Sequence, residues 1–460
     1  MSSTYSPRKL KMYSLRDYQE EGVDAVVNWI ELPKKFSGVV VCPTGGGKSL
    51  YIAEIARRLG GVVLVLQPSK EILEQNYNKY ISYGEQASIY SNSMKSREIG
   101  QVTFGTIGTV KSAAQEFKDA GLVILIVDEC HIGTKKDSVM SDFIESVGIK
   151  WIIGLTATPI ELRQGYLQMI TRSRKNLFNE IIHVTQVQTL VERNYWAKIK
   201  YQLEETNTQS LKLNSAGSDY TDASLIVFYD QNSLERKVIN KVKDRIKEGR
   251  KSILIFVPNI AASDSLSEKL NQEGILCGSV HSKIDKGSRN DLITGFRNLE
   301  IPVIVNVDVL SIGFDHPELD TIIETRPTKS FAVYYQHYGR GVRPHVSKEF
   351  CEIIDFTENT STFGKIEDIQ FIQDKKGKYD MYNLNHNITG YVRTELNPTN
   401  TVPITTIWFG KYAGKSIQKV QTFDKGYLMW MIDPNKGFKA DTPKAQNLVK
   451  QIDLLLNGEK

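Results

Sequence analysis

Between Leu15 and about Thr185 the chain repeats one pattern, an apolar run of strand length followed by a stretch of helical period. The runs read GVVVCP, GVVLVLQP, QVTFGT, LVILIVDE and KWIIGLTATP. They are continuous and rich in β-branched residues, as parallel strands buried on both faces are. The stretches between them, around 17–30, 49–59, 70–80, 108–118 and 138–147, are candidate helices. This alternation predicts a doubly wound α/β sheet. The polar features fall just after the strand ends, where such sheets bind ligands.

The pattern breaks at residues 206–222, TNTQSLKLNSAGSDYTD, which read as a loop or linker. From Ser233 a second series begins, with KSILIFVP, ILCGSVHS, IPVIVNVD, LDTIIET and FCEIIDF as its strands. Two α/β domains in tandem allow a cleft between them. A third region follows about residue 375, with NPTNTVP (397–403) as a linker before the compact end IWFGKYAGKSIQKVQTFDKGYLMWMI. The organisation expected is a first domain over 1–195, a linker or insertion over 196–230, a second domain over 231–375 and an extension over 376–460. A small module occupies about 401–460 of that extension.

A length of 460 residues suits about three domains at ~150 residues each. The four cysteines, Cys42, Cys130, Cys277 and Cys351, are far apart with no C-x-x-C pair, which argues against a disulfide framework or structural zinc. No apolar run approaches the ~20 residues of a membrane span, and the first residues lack an apolar signal core. The chain is therefore expected in the cytoplasm, with no membrane partner. Residues 401–460 hold nine Lys, four Asp and one Glu, so 9 − 5 = +4 of the net +5 lies there. A basic end hints at a polyanionic partner, though a solvated lysine surface reads the same way.

The loop after the first run, CPTGGGKS, has what phosphate binding needs. Gly45, Gly46 and Gly47 let backbone N–H groups approach an anion, beside Thr44. Lys48 supplies a charge for the β- and γ-phosphates, and Ser49 opens a helix and offers a hydroxyl to Mg²⁺. The usual loop has glycine where this one has Cys42. Asp128 and Glu129 end another buried run, where two carboxylates are costly unless paired. Mg²⁺ held by Ser49 and Asp128 would pair them, leaving Glu129 to orient or deprotonate the attacking water of a nucleoside triphosphate.

With these residues in order, the chain resembles a superfamily-two helicase or translocase over roughly residues 13–365. The resemblance implies two tandem RecA-like, doubly wound parallel-sheet motor domains, ATP and Mg²⁺ as cofactors, and a small C-terminal basic α+β module. Members of the family often carry a small residue at the position of Cys42. YSLRDYQ resembles the adenine-reading motif, with Gln19 on the base edge and Arg16 nearby. DECH resembles the magnesium and water motif, with His131 coupling to the second domain, and GLTATP implies coupling through Thr156 and Thr158. VNVDVLSIGFD implies that Gly313 and Asp315 meet the ribose and phosphate region. QHYGRGVR fits Q-x-x-G-R-x-x-R, so Gln336, Arg340 and Arg343 are expected to face the nucleotide. Pro68, Ser69, Lys70 and Thr106 in the first domain, and Asn259, His281 and Ser282 in the second, match positions that grip a nucleic-acid backbone. Any one of these could equally be a helix cap.

LTATP leans toward DNA, and VNVDVLSIGFDHPELDTII, GRGVRP and IIDFTENTSTFG look most like the RadD/XPB branch and the recombination helicases of T-five-like coliphages. The zinc segment of RadD-type relatives has no counterpart among these cysteines. The resemblance implies work on single-stranded, forked or four-way-junction DNA in recombination, replication or repair. A duplex translocase and an ATP-gated clamp are the rival readings. The tail FGKYAGKSIQKVQTFDKGYLMWM is similar to a small module of some DNA-metabolism proteins. There Lys411 and Lys415 could reach phosphates and Trp408, Phe409 and Tyr412 could stack on bases. Tyr427 and Trp430 read as core. Segment 359–400 lacks a family motif and is the candidate for a strand-separating element.

Overall fold

The computed structural model describes residues 14–33, 36–163, 166–311, 314–384, 386–389, 407, 410–412, 417, 420–421, 424–433, 448–449, 451–453 and 455–456. By contacts the chain divides into a compact unit over 1–390 and a second over 391–460.

The first unit opens with helix Asp17–Ile30, whose Tyr18, Gly22, Val23, Val26 and Trp29 form one buried face. The strands that follow are β1 (Ser37–Val41), β2 (Val62–Leu66), β3 (Ser88–Ser91), β4 (Ser96–Arg97) and β5 (Val102–Gly105). After them come β6 (Leu122–Asp128), β7 (Trp151–Thr156), the hairpin of β8 (Ile160–Arg163) and β9 (Tyr166–Met169), and β10 (Glu180–Val184). Apart from the hairpin they form one eight-stranded sheet in the order β10-β1-β7-β6-β2-β5-β3-β4. All its pairings are parallel except β3 with β4. Every residue of β1 is buried, as its unbroken SGVVV run requires. The connection from β1 to β2 steps over β7 and β6, leaving a crevice beyond the carboxyl ends of β1, β6 and β7.

The second lobe is a six-stranded, wholly parallel sheet. Its strands are β11 (Lys198–Leu203), β12 (Ile253–Phe256), β13 (Cys277–Val280), β14 (Val303–Asn306), β15 (Thr321–Glu324) and β16 (Phe350–Asp355), in the order β11-β16-β15-β12-β14-β13. Its two faces separate with period two. Leu254, Ile304, Ile322 and Ile353 join an apolar cluster continuous with the first lobe. Ile255, Val305, Ile323 and Ile354 pack beneath Phe228 and Val238 of helices Asp222–Gln231 and Leu234–Lys247.

Two expected boundaries need correction. Residues 196–230 are not a linker: β11 is the edge strand of the second sheet, paired with β16 from Lys198 to Leu203, and helix Asp222–Gln231 roofs its core. The boundary at 375/376 cuts through an antiparallel sheet of β17 (Ile369–Gln373), β18 (Tyr379–Asn383) and β19 (His386–Asn387). This sheet ties back to the first lobe. Gln186 exchanges two hydrogen bonds with the Phe371 backbone, at 2.7 and 3.0 Å. Arg172 bridges Asp374 and Asp380 at 3.0 and 2.6 Å. The described part of segment 359–400 is thus a strap between the lobes rather than a free element.

In the unit over 391–460, Ile407, Ile417, Val420, Leu428, Met431, Leu448 and Ile452 form a small core. The described elements there are helical, with helix Lys425–Ile432 capped by Asp424; any strands of the expected α+β module lie outside the described residues. Trp430, expected in the core, is 40% exposed, while Tyr427 packs against the core as expected. Among the described residues no helix is long and apolar enough to cross a membrane.

Candidate active site

The site begins where β1 ends. Cys42 is fully buried and its N–H donates to Thr156 O at 3.0 Å, so the loop leaves flush with β7. Gly45 (φ 75°) and Gly47 (φ 86°) adopt left-handed backbone that side chains resist. A Cβ on Gly46 would lie 2.7 Å from Cys42 Sγ, so the cysteine that replaces the usual glycine fills the floor of the loop. The loop carbonyls are turned inward. Pro43 O accepts from Gly46 N at 2.9 Å and Thr44 O from Trp196 Nε1 at 2.9 Å. Gly46 O accepts from both Gln19 Nε2 (2.9 Å) and Tyr18 OH (3.1 Å). What remains for a ligand is the loop's N–H groups other than that of Gly46, with the amides of Lys48 and Ser49 that open helix Lys48–Leu59.

Lys48 Nζ bonds Glu129 Oε1 and lies 3.6 Å from Asp128 Oδ1. Burial opposes the Lys48 charge, but Glu129 and Asp128 outweigh it and hold the ammonium above the ordinary lysine range. Burial pushes Asp128 up; for Glu129 burial is outweighed chiefly by Lys48, and its carboxyl stays below the usual range. Glu129 sits at φ 49°, strained for a residue with a Cβ, as reactive groups often are. His131, kept neutral chiefly by burial, places Nδ1 2.8 Å from Thr156 Oγ1 and 3.5 Å from Thr158 Oγ1.

The second lobe supplies the opposite wall. Helix Phe331–Tyr338 ends at Gly339, after which Arg340 and Arg343 turn into the cleft. Arg340 donates to Phe314 O (2.6 Å) and Gln336 O (3.1 Å). Burial, and then Arg343 beside it, pull its guanidinium down to about 9, which leaves it charged at neutral pH. Arg343 Nε lies 2.5 Å from Asp315 Oδ1. Its Nη1 is buried with no hydrogen-bond partner, a donor that calls for an anionic ligand. Together Lys48, Asp128 and Glu129 from one lobe and Gln336, Arg340 and Arg343 from the other line one cavity of about 220 Å³.

The two walls touch at one point that tolerates no side chain. A Cβ on Gly339 would lie 2.7 Å from Tyr335 O of its own helix and 2.8 Å from Thr44 Cγ2 across the cleft, while the glycine's own φ of −63° is unstrained. Gly339→Ala should therefore push the arginines off the phosphate loop, at the ~1–3 kcal/mol typical of overpacking. Carried into the closed state, that cost corresponds to a loss of about 5- to 150-fold in kcat/KM for ATP. Thr44→Ser in the same chain removes the clashing methyl and should restore part of the loss; steady-state ATPase assays read both.

The remaining expected site residues divide. Thr44, Gly45, Gly47, Ser49, Thr158 and Asp315 line the cavity. Gln19 and Arg16 do not. Instead of facing a base, the Gln19 amide lies under the loop, bonded to Gly46 O and accepting from Arg16 N at 2.9 Å. The Arg16 guanidinium stacks on Tyr195 at 3.8 Å. Ser69 and Asn259 cap helices Lys70–Ser82 and Ile260–Gln272 with their side chains, and Thr106 is the N-cap residue of Ile107–Val110. Pro68 and Ser282 are exposed, and Lys70 Nζ donates to Ser93 O at 3.3 Å. His281 is held by Asp264 at 3.0 Å. Lys411 is paired with Asp424 at 3.2 Å rather than free. Gly313, Lys415, Trp408 and Phe409 lie outside the described residues.

Two contributors were missed. Trp196 holds the loop from a segment read as linker. Asn76, in mid-helix, accepts from Ser49 Oγ (2.9 Å) and donates to Asp128 Oδ2 (3.0 Å). An asparagine inside a helix gives no local sign of either contact.

Residues 12–161 match the family described as type III restriction enzyme, res subunit, and residues 236–345 match the helicase conserved C-terminal domain. The chain is similar to the ATP-dependent helicase IRC3 of Saccharomyces cerevisiae, 25% identical over 74% of this chain and 51% of that protein. It therefore spans about half the length of that relative. It is 28% identical to a 51.5 kDa protein of a Lactococcus phage, over 71% of this chain and 67% of that one. Among solved structures, an HsdR-type subunit fragment of a type I restriction enzyme from Vibrio vulnificus aligns at a TM-score of 0.59, 18% identical, covering 80% of this chain and 71% of that one. The restriction-modification enzyme LlaBIII aligns at 0.55, 17% identical, covering 75% of this chain and 28% of that one. These structural likenesses speak to the fold.

Proposed function

The chain belongs to the superfamily-two helicases of the RadD/XPB-like type, and on that premise we propose that it is an ATP-driven DNA helicase that remodels branched DNA. The observation that carries the motor reading is the cavity walled by Lys48, Asp128 and Glu129 from one lobe and Arg340 and Arg343 from the other. Lys48 and the loop amides bind the phosphates. Glu129 accepts a proton from the attacking water, and the paired arginines stabilise charge on the transferred phosphoryl group. Because the groups are divided between lobes, hydrolysis requires closure and product release permits opening. Pro68, Ser69, Lys70 and Thr106 on one lobe and Asn259, His281 and Ser282 on the other lie where they would grip the strand chiefly through backbone groups, since Ser69 and Asn259 cap helices and His281 is buried.

The donor set fits Mg²⁺. Ser49 Oγ and Asp128 Oδ2 both reach the one amide of Asn76, so a hydroxyl and a carboxylate converge on one locus. One carboxylate with a few further oxygens is what this cation takes beside a nucleotide. When bound there, held by Ser49 and Asp128, it would supply positive charge that offsets the charge developing on the phosphates.

The choice of DNA rests on the resemblance of the LTATP and GRGVRP segments, and the branched substrate on family likeness alone. The test is ATP-driven strand displacement on a four-way junction or fork against a linear tailed duplex of equal base pairs. Faster junction processing is the expected result. Displacement confined to linear duplex overturns the branched-substrate reading, and ATP hydrolysis with no displacement favours a duplex translocase or clamp.

A further inference from the structure

Helix Lys70–Ser82 touches the functional regions of the molecule at several points. It starts in the Pro68–Lys70 segment assigned above to the strand. Its Glu74 lies 3.8 Å from Lys286 of the second lobe. Further along, Asn76 enters the nucleotide cavity.

There its amide makes three hydrogen bonds. Oδ1 accepts from Ser49 Oγ at 2.9 Å, and Nδ2 donates to Asp128 Oδ2 and to Gln67 Oε1, each at 3.0 Å. Ser49 and Asp128 are the two groups whose oxygens suit Mg²⁺. While the amide N–H points at Asp128 Oδ2 a cation must compete with it for that oxygen, so Asn76 acts as a bolt across the pair.

The other position of the bolt is also prepared. Gln67 is buried, and its Nε2 has no hydrogen-bond partner. This unsatisfied buried donor is a penalty that a turn of the Asn76 amide oxygen toward Gln67 would relieve. Once released, that oxygen is an acceptor next to the Gln67 amide. Two hydrogen-bond arrangements of one side chain make a discrete switch, as coupling between sites requires. The six residues from Lys70 to Asn76 span about 9 Å of helix, so a shift of the helix at its head is felt at the amide.

We propose that Asn76 is a positioning residue that latches Ser49 and Asp128 together, and that polynucleotide binding at the head of its helix releases the latch and readies the pair for the metal–nucleotide complex. The proposal rests on the helicase reading above, and deepens it by naming the residue through which a strand speaks to the ATP site.

The experiment measures binding, not turnover. The full chain is titrated with Mg²⁺ in the presence of a fluorescent non-hydrolysable ATP analogue, with and without a single-stranded oligonucleotide. In the wild type the oligonucleotide should lower the Mg²⁺ midpoint by a factor in the allosteric range of about 5–150. Asn76→Ala should start at the low midpoint without the oligonucleotide, which then adds nothing. Asn76→Leu, which keeps the volume, should behave alike and guards against an effect of a cavity; thermal melts check that each variant is folded.

A midpoint raised in both variants overturns the latch, because the amide would then be supporting the metal pair. So does an oligonucleotide shift that the variants retain, or one that the wild type lacks. No analogue binding by the wild type at any Mg²⁺ concentration overturns the nucleotide reading itself, and the latch with it.

Discussion

Arg340→Ala should slow ATP hydrolysis by about 10³–10⁵-fold, the range an arginine finger commands, while ATP affinity changes far less. The side chain is held before any ligand arrives, by Phe314 O at 2.6 Å and Gln336 O at 3.1 Å. A donor fixed in advance loses little in reorganisation when charge develops on the phosphoryl group. Its second-lobe origin explains the split between binding and rate, since Lys48 and the loop amides hold the phosphates from the other side. Arg340→Lys should rescue little, because an ammonium cannot reproduce the planar fork. Truncation also strips Phe314 O of its partner, at ~1–3 kcal/mol of stability. Turnover, analogue binding and a thermal melt should therefore be read together. A rate loss below tenfold in a folded variant would make Arg340 a structural residue.

Glu129→Gln should cost about 10²–10⁴-fold in hydrolysis, as loss of a general base does, yet keep ATP bound. Glutamine preserves the size of the side chain and an acceptor for Lys48. Asp128, 3.6 Å from Lys48, still balances the ammonium, so the fold should survive. Lys48→Ala is the less clean variant, because it leaves two buried carboxylates without their cation. The Glu129→Gln chain should accumulate as a tight complex with ATP and polynucleotide, visible as a slowed strand dissociation rate in ATP. Hydrolysis at the wild-type rate would remove Glu129 from the chemistry.

What the sequence made legible follows from which physical signals are local. Strands β1, β2, β5, β6, β7, β12 and β14 to β16 are apolar runs closed in by neighbours, and they fall where those runs do, as does the mostly buried edge strand β13. Strand β11 was lost to a linker because KIKYQL, on the sheet's edge, alternates between exposed and half-buried residues. The strap of β17–β19 was split because its strands are short and polar and earn their place by bonding to Gln186 and Arg172.

The site shows the same division. The residues that line the cavity carry their chemistry in local motifs. Gln19 was legible as a polar residue at a defined place, but its orientation was not: the amide faces Gly46 O because the turned loop offers that carbonyl. Asn76 was invisible because its partners lie 27 and 52 residues away in the chain. Only the fold brings them together.

The most direct test of the account is the ATPase rate of the full chain with and without DNA, beside Glu129→Gln and Arg340→Ala. The account predicts hydrolysis that rises when DNA is added and nearly vanishes in both variants, one from each lobe. Hydrolysis that ignores DNA, or that survives either substitution unchanged, would contradict a strand-coupled site shared between the two lobes.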